Sequence, residues 1–258
     1  MGGATTLTFL GTGTSQGVPM IGCNCPVCRS VDVHDKRLRS SVLVQTQNVT
    51  LLIDCGPDFR QQMLCHNIAQ IDAILFTHEH KDHTGGLDDV RALNYFMQAP
   101  IPVYAENRVM AALQRDYAYV FKEHQYPGAP QVEAREISTQ KFTVKGVEIQ
   151  PVRVMHGNLP ILGFRVGELV YLTDTNFVSD ESKALIQGCK VLIINGVRKE
   201  SHVSHFSLSQ ALQLITEVAP AQAYITHISH QLGLHHSIQA ALPPQINLAY
   251  DGLQVVVE

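Results

Sequence analysis

The sequence predicts one domain, spanning residues 1–258, that combines β-strands with α-helices. A chain of 258 residues of which 45% are hydrophobic can bury a large core. Short apolar runs, such as 71–76 and 191–194, have the length of buried strands. Between such runs apolar residues recur at helical spacing, as they do from Leu87 to Phe96.

The composition argues against a nucleic-acid-binding surface and against a membrane span. The formal net charge is −4 and the pI is about 6.3, whereas surfaces that bind nucleic acid are usually basic. No apolar run approaches the ~18 residues of a membrane helix, and Met1–Leu10 lacks the pattern of a signal peptide. The six cysteines do not resemble an extracellular disulfide framework, so we expect reduced thiols and a cytoplasmic protein.

The amino-terminal segment 5–10 alternates polar and apolar residues and predicts a first strand. The glycine-rich segment 11–19 then offers two interpretations. A dinucleotide-binding loop is weakly supported, because Pro19 and a cysteine cluster follow where that fold needs a helix. We favour a tight corner between a strand and a loop.

Three cysteines within six residues predict a metal site. Cys23, Cys25 and Cys28 could provide three thiolates for a tetrahedral, structural Zn²⁺ that lacks one ligand. A disulfide with one spare cysteine, or three unrelated buried thiols, are the alternatives. His230 is a candidate for the fourth ligand: it lies three residues after His227, and on an extended segment this offset points the two side chains apart.

Two strands, 40–46 and 49–53, are expected to form a hairpin, and the second ends at Asp54. Asp54 is either a cap of the next turn or a carboxylate that orients a metal-binding histidine. The segment 59–67 then has a helical pattern, and it leads into the apolar run that precedes the most informative motif of the chain.

That motif, THEHKDHTGG at residues 77–86, places three imidazoles and two carboxylates directly after a buried strand. His78 and His80 lie two residues apart, so on an extended segment they point the same way and can reach one ion. Asp82 and His83 are expected to follow the same rule for a second ion. The alternative is a polar surface loop that is rich in histidine by accident.

Three later strands also end in residues that can bind metal. The hairpin formed by 142–144 and 147–154 leads to His156, the strand 169–173 to Asp174, and the strand 223–226 to His227. One terminal histidine would be unremarkable, but the shared placement makes each a candidate ligand. Other expected elements are a strand at 101–104, a helix at 108–121, and a closing hairpin of 248–250 with 254–257.

Ser207 and Gln210 form a capping-box pattern ahead of an amphipathic helix. His202 and His205 stand just before this cap, where side chains can face a cleft. For either histidine, a purely local hydrogen bond is the alternative to a role in the site.

These motifs together resemble the metallo-β-lactamase superfamily, and within it the branch of phosphoribosyl 1,2-cyclic phosphate phosphodiesterases. The resemblance covers the whole chain and implies an α+β fold, an αββα four-layer sandwich with the metals at one edge. The segments that carry it are the H-x-H-x-D-H motif of 78–83, LGTGTS at 10–15, GCNCPVC at 22–28, SHFSL at 204–208, THISH at 226–230 and AYDG at 249–252.

The resemblance also assigns roles to single residues. It implies two divalent active-site ions, Zn²⁺ or Mn²⁺, with Asp174 bridging them, and one structural Zn²⁺. His205 matches the catalytic histidine of the family, and we count Asp82 with it as catalytic; Glu79 and Lys81 are expected to face away. The ligand sets are His78, His80 and His156 for one ion; Asp82, His83 and His227 for the other; and Cys23, Cys25, Cys28 and His230 for the structural zinc.

The expected activity is hydrolysis of a small phosphodiester, of cyclic nucleotide or ribose type, by a hydroxide shared between two metal ions. There are two competing hypotheses. One is an enzyme that resembles the tRNA 3′-processing endonucleases, which share the metal ligands. The other is an enzyme like pyrroloquinoline quinone biosynthesis protein B, which resembles this branch and acts on a redox precursor rather than a phosphate ester. The acidic balance disfavours the endonuclease and nucleic-acid partners in general. We expect a small-molecule substrate and no membrane partner, and a homodimer is one option for the assembly.

Overall fold

The computed structural model describes residues 4–122 and 124–257; the extreme ends of the predicted domain, 1–3 and 258, and Glu123 lie outside the described residues. The described residues form two seven-stranded sheets. The strands of the first sheet are β1 (Thr5–Gly11), β2 (Ser41–Gln45), β3 (Thr50–Ile53), β4 (Ala73–Leu75), β5 (Ile101–Glu106), β6 (Val132–Ile137) and β14 (Gln254–Val257). Those of the second are β7 (Phe142–Val144), β8 (Val147–His156), β9 (Leu159–Val166), β10 (Leu169–Leu172), β11 (Val191–Asn195), β12 (Gln222–Thr226) and β13 (Ile246–Leu248).

Each sheet has an antiparallel half and a parallel half. In the first sheet the order is β14-β1-β2-β3-β4-β5-β6, and β3 to β6 run parallel to one another. In the second the order is β13-β12-β11-β10-β9-β8-β7, and β10 to β13 run parallel. Loops that follow parallel strands leave from one edge of the sheet, which is where ligand-binding residues collect in such folds.

Helices cover the outer faces of both sheets. The described α-helices are α1 (Phe59–Cys65), α2 (Lys81–Thr84), α3 (Arg91–Met97), α4 (Asn107–Asp116), α5 (Asp180–Ile186), α6 (Leu208–Val218) and α7 (His235–Gln239), and 3₁₀ turns span Val33–Asp35 and Leu87–Val90. Ser207 caps α6 through the predicted capping box with Gln210. None of the helices within 4–122 and 124–257 is long and apolar enough to cross a membrane.

Three apolar layers hold these elements together. Side chains from both sheets, among them Phe9 and Phe164, are fully buried where the sheets face each other. Alternate strand residues point outward instead, so Leu52 packs under α1, α3 and α4. The outer face of the second sheet packs under α5, α6 and α7 in the same way. The order helix, sheet, sheet, helix confirms the αββα sandwich.

Several local expectations were wrong. The predicted closing hairpin of 248–250 with 254–257 does not form, because β13 (Ile246–Leu248) pairs with β12 and β14 pairs with β1 of the other sheet. The strand β6 was missed because it lies at an edge and has mostly exposed polar residues. The strand β9 was missed because Pro160 and Gly163 interrupt its apolar pattern.

Helix bounds also differ from the expected ones. The helix predicted to reach residue 121 ends at Asp116, and the pattern beginning at Leu87 forms a 3₁₀ turn before α3. Asp82 and His83 lie on the single helical turn α2 rather than on an extended segment. A helical turn sends neighbouring side chains in directions about 100° apart, so their reach toward one ion depends on this turn and not on the alternation of a strand.

Candidate metal centres and active site

Four candidate ligands stand at strand ends along one edge of the sandwich. His78 follows β4, His156 ends β8, Asp174 follows β10, and His227 follows β12 directly. The sheets thus deliver these side chains from distant parts of the sequence to one place. The remaining ligands of the HxHxDH motif lie on the loop after β4 and on α2.

The backbone at these strand ends has an unusual conformation. Asp54, Asp174 and His227 all have left-handed φ values, between 53° and 64°. Such values are uncommon for residues other than glycine, and they concentrate at functional sites, where surrounding contacts compensate for the strain. Each residue turns the chain sharply, so its side chain is directed toward the loop edge.

His78, His80 and His156 form the first cluster. The Nε2 of His78 lies 3.0 Å from the Nδ1 of His80, and the ring of His156 lies 5.1 Å from that of His80. One ligand atom from each of the three lies within 4.8 Å of the others. His78 is completely buried, and this burial lowers the pKa of its imidazole well below the usual value. Neutral imidazoles are the form that binds metal.

Asp82, His83, Asp174 and His227 form the second cluster, again with ligand atoms within 4.8 Å of one another. The Nε2 of His83 is 3.2 Å from one oxygen each of Asp82 and Asp174, and the Nε2 of His227 is 3.1 Å from the other oxygen of Asp174. Gly56 allows this loop to pack closely, since a Cβ there would lie 2.1 Å from the carbonyl oxygen of Asp82.

The carboxylates and histidines of the second cluster shift each other's pKa. Burial disfavours the charged forms, but the carboxylates of Asp174, Asp82 and Asp54 raise the pKa of His83 well above its usual value. The pKa of Asp174 is lowered, because His227 and His83 outweigh the effect of burial. Burial lowers the pKa of His227 to about 4. The cluster therefore concentrates carboxylate charge in a buried place, which favours the binding of a cation.

The described residues fit divalent metal ions. Four ligand histidines have one ring nitrogen directed at a cluster and the other held by a neighbouring group, which is the arrangement that fixes the tautomer in metal sites. The buried Nε2 of His83 makes no aligned hydrogen bond to any described residue, as expected of a nitrogen kept for a metal. The holding contacts are Thr77 Oγ1 to His78 (2.9 Å), Asp54 Oδ2 to His83 (2.7 Å), the Ser204 carbonyl to His156 (2.8 Å) and Ser40 Oγ to His227 (3.1 Å).

Asp54 therefore orients a candidate ligand, which decides between the two interpretations that the sequence left open. It is completely buried and accepts hydrogen bonds from the backbone and hydroxyl of Thr77 as well as from the Nδ1 of His83. Ser40, Thr77 and Ser204 act in the same way and carry no sequence signal, since a serine or threonine beside a strand is common. They could be recognised only from their contacts.

Replacing Asp54 with asparagine is expected to weaken metal binding about 10- to 100-fold, since loss of a carboxylate that orients a ligand histidine has effects of this size. Asparagine keeps the shape and can still accept from Thr77. The measurement is metal affinity by competition with a chromophoric chelator. Asp180→Asn is the control, because its side chain is 97% exposed; equal affinity in the two variants would contradict the orienting role.

The cysteine cluster forms a separate candidate site. The Nδ1 of His230 lies 3.5 Å from the sulfur of Cys23 and 3.3 Å from that of Cys25, and all four side chains with Cys28 have ligand atoms within 4.8 Å of one another. The backbone N–H of Cys28 and then His230 lower the pKa of the Cys25 thiol to about 6. Three sulfurs and one imidazole are a donor set typical of structural Zn²⁺.

A short backbone segment connects the two sites. His227 and His230 lie on the segment after β12, which Thr12 and Thr14 hold through hydrogen bonds with both backbone groups of Ile228. The contacts of Cys23 and Cys25 with His230 therefore hold the cysteine loop against the same segment that carries the candidate ligand His227. This link explains how residues about 200 positions apart contribute to one site.

The remaining predicted residues fall as follows. The Nε2 of His205 lies 3.1 Å from Asp174, and its ring stacks on that of His227 at 5.1 Å. The ring of His202 meets that of His205 edge to face at 4.8 Å, with the two Nδ1 atoms 3.1 Å apart. Glu79 and Lys81 point elsewhere, toward Arg108 and Asp116 respectively, as expected of spacers. The structure thus brings together every residue that the sequence assigned to the active site.

A family model and solved structures point to the same family for this chain. Residues 49–228 match the model of the β-lactamase superfamily domain. A crystal structure of a diphosphatase from the PhnP family superposes with a TM-score of 0.94 at 40% identity, covering 100% of this chain and 98% of that one. Zn²⁺-bound PqqB from Methylobacterium extorquens superposes with a TM-score of 0.74 at 19% identity, covering 97% of this chain and 99% of that one. At this identity the similarity is evidence for the fold alone.

One relative carries a different kind of name. An octanoyltransferase of Porphyromonas gingivalis is 42% identical over 253 residues, which are 97% of this chain and 51% of that protein. The chain thus spans about half the length of this relative, and the activity in its name is not carried over to this chain. The matched superfamily domain, the sandwich and the His/Asp clusters agree with one another: the chain belongs to the β-lactamase superfamily and has the metallo-β-lactamase fold.

Proposed function

We propose that the protein is a binuclear, metal-dependent phosphodiesterase that hydrolyses a small phosphodiester, with cyclic esters of nucleotide or ribose type favoured. The observation that carries this proposal is the position of Asp174. Its two oxygens contact His83, His205 and His227, and it shares a cluster with His156 of the other ligand set. The carboxylate of Asp174 therefore lies between both candidate ion sites and contacts His205, the candidate proton donor.

The metal sites of the proposal are the ligand sets already described. His78, His80 and His156 would hold one ion and Asp82, His83 and His227 the other, with Asp174 between them. His and Asp ligands suit both Zn²⁺ and Mn²⁺, and the sulfur-rich set at Cys25 suits Zn²⁺. Two such ions bound side by side supply Lewis acidity toward phosphate oxygens and a water of lowered pKa.

The chain's own contribution to the reaction is a positioned proton at His205. Its Nε2 faces Asp174, at the junction of the two clusters, and its side chain is only 14% exposed. When the ester bond breaks, the leaving alkoxide needs a proton, and a histidine at this place can donate it. His227 stacked on one side and His156 at 4.6 Å on another keep the ring in this orientation.

The PhnP-family relative is a diphosphatase, which makes a phosphoanhydride the second candidate substrate. Both reactions add water across a phosphorus–oxygen bond. They differ in the leaving group, because a leaving phosphate is stable without a proton and a leaving alkoxide is not. The position of His205 at the junction therefore favours the diester.

The endonuclease and the PqqB-like enzyme have less support. A tRNA-processing activity needs a surface that attracts a long polyanion, and the chain carries a net charge of −4. The likeness to PqqB extends over the fold at 19% identity and says nothing of substrate. As part of the proposal we place the protein in the cytoplasm, because thiolates that bind Zn²⁺ persist in a reducing compartment.

Replacing His205 with alanine is expected to lower turnover of an alkyl diester about 10²- to 10⁴-fold, the usual contribution of a proton donor. Metal content should stay at the wild-type level, because His205 is not in the proposed ligand sets. Turnover and metal content are measured on the same preparation. Full turnover with the metals bound would exclude the role of proton donor.

A substrate panel tests the function itself. The purified protein, loaded with Zn²⁺ or with Mn²⁺, is offered a nucleoside 2′,3′-cyclic phosphate, a nucleoside diphosphate ester and a pre-tRNA, and products are separated by chromatography. We expect ring opening of the cyclic ester to a monoester. Cleavage of only the phosphoanhydride bond in the nucleoside diphosphate ester would favour a diphosphatase. Cleavage of only the pre-tRNA would favour an endonuclease.

A further inference from the structure

His202 lies behind the candidate proton donor, on the side away from the metal clusters. Its Nδ1 is 3.1 Å from the Nδ1 of His205, and the two rings meet edge to face at 4.8 Å. We infer that His202 is a positioning residue that fixes the tautomer of His205. This inference rests on the proposed phosphodiesterase function and adds a residue to it.

Hydrogen-bond directions decide which of the two histidines donates. The backbone N–H of Ser204 points at the Nδ1 of His202 at 3.3 Å. A nitrogen that accepts a hydrogen bond carries no proton, so the Nδ1 of His202 is an acceptor and its proton is on Nε2. The hydroxyl of Ser204 lies 3.4 Å from the Nδ1 of His202 and 3.1 Å from the Nδ1 of His205, so it can donate to the first and accept from the second. With a proton on its Nδ1, His205 donates to the Nδ1 of His202 at 3.1 Å and to this hydroxyl.

This assignment determines what the other nitrogen of His205 can do. With a proton held on Nδ1, Nε2 is the atom that gains or loses a proton, and it is the atom directed at Asp174. During ester cleavage, a water oxygen forms the new bond to phosphorus, and the old phosphorus–oxygen bond breaks. The alkoxide takes the proton from Nε2, and the water's own proton goes to solvent, from which Nε2 is later reprotonated. His205 ends this step as the neutral Nδ1–H tautomer, which His202 stabilises.

The loop that carries both histidines is held in place from several sides. The carbonyl of Ser204 accepts from the Nδ1 of His156, and the carbonyl of Val203 accepts from the side chain of Asn176. The backbone N–H of Phe206 donates to the carbonyl of Thr175, next to Asp174. The contacts that hold the candidate ligand His156 therefore also hold the loop on which His202 and His205 pair.

The surroundings of His202 favour its neutral form. Burial and then the charge of His205 and Arg198 lower the pKa of His202. A neutral imidazole can accept from Ser204 and His205, whereas an imidazolium could not accept at Nδ1. Geometry and charge thus assign the same role to this side chain.

The test compares two variants of His202 on two diesters. Asparagine places its oxygen where histidine has Nδ1 and can still accept, whereas alanine cannot. A nucleoside 2′,3′-cyclic phosphate has an alkoxide leaving group that needs a proton, and bis(p-nitrophenyl) phosphate has one that does not. The control is His236→Ala, an exposed histidine on α7. Metal content is measured for every variant.

For H202A we expect kcat on the cyclic ester to fall about 10- to 100-fold, less than the loss of proton transfer itself. The fall on bis(p-nitrophenyl) phosphate should be below about 3-fold, with metal content and KM unchanged, and H202N should recover most of the lost rate. Equal losses on both diesters, or no recovery in H202N, would overturn the inference. If the wild-type protein hydrolyses neither diester, it is the proposed function that fails.

Discussion

Replacing Asp174 with alanine is expected to remove both active-site metals and to lower phosphodiester turnover by at least about 10³-fold. The carboxylate is almost completely buried, and its two oxygens contact His83, His205 and His227. Its loss leaves each candidate ion site one ligand short and takes away the group that faces the candidate proton donor, His205. Two metal ions contribute several kcal/mol to such a reaction, which corresponds to a rate factor of about this size.

Metal content by mass spectrometry and turnover of a cyclic phosphodiester measure the two parts of this prediction. Asp180→Ala is the matched control, since it removes an exposed carboxylate from the start of α5. The separate cysteine site should keep its zinc in both variants. An unchanged metal content in the Asp174 variant would refute its bridging position.

Replacing Cys25 with serine is expected to have the largest effect on stability. We expect the variant to lose one equivalent of zinc and to melt about 10 °C lower, which corresponds to about 4 kcal/mol for a chain of this size. The loop that carries Cys23, Cys25 and Cys28 has only a small apolar cluster of its own, centred on Val18 and Val27. Metal bonds to His230 are therefore expected to hold it to the rest of the fold.

The measurements are zinc content and thermal unfolding followed by circular dichroism. Cys65→Ser provides the control, because Cys65 is exposed and lies at the end of α1. The two variants should differ clearly in both readings. If they contain the same amount of zinc and melt at the same temperature, the cysteine cluster is not a structural metal site.

The grouping of the candidate site residues was predictable because their spacing is local or repeats a rule. His78, His80, Asp82 and His83 lie within six residues, and each later ligand follows an apolar strand. The ends of these strands meet at one edge of the sandwich. A ligand-type residue after each apolar strand is therefore enough to predict that these residues lie close together. The resemblance to a known superfamily then assigned each residue to an ion.

The groups that support these ligands were not predictable in the same way. Ser40 holds His227 across 187 positions, and the carbonyl of Ser204 holds His156 across 48. A backbone carbonyl has no sequence signature, and a single serine has many possible roles. The pairing of His202 with His205 depends likewise on the turn that Ser204 makes.

The fold shows a similar division. Strands with continuous apolar runs, such as β4 and β11, were predicted within a few residues of their bounds. The strand β6 was not, because an edge strand has one neighbour and can keep polar residues on both faces. Asp251 and Gly252 form a turn, but whether a turn joins strands of one sheet or two depends on the packing of the whole sandwich.

We propose that two metal ions at the His/Asp clusters make this chain a phosphodiesterase. The most direct test is the rate of ring opening of a nucleoside 2′,3′-cyclic phosphate, measured as Zn²⁺ or Mn²⁺ is returned stepwise to protein whose active-site metals were removed by a chelator. We expect no turnover at the start and a rate that rises until two equivalents per chain are bound. A full rate before any metal is returned, or no turnover once both equivalents are bound, would contradict the claim.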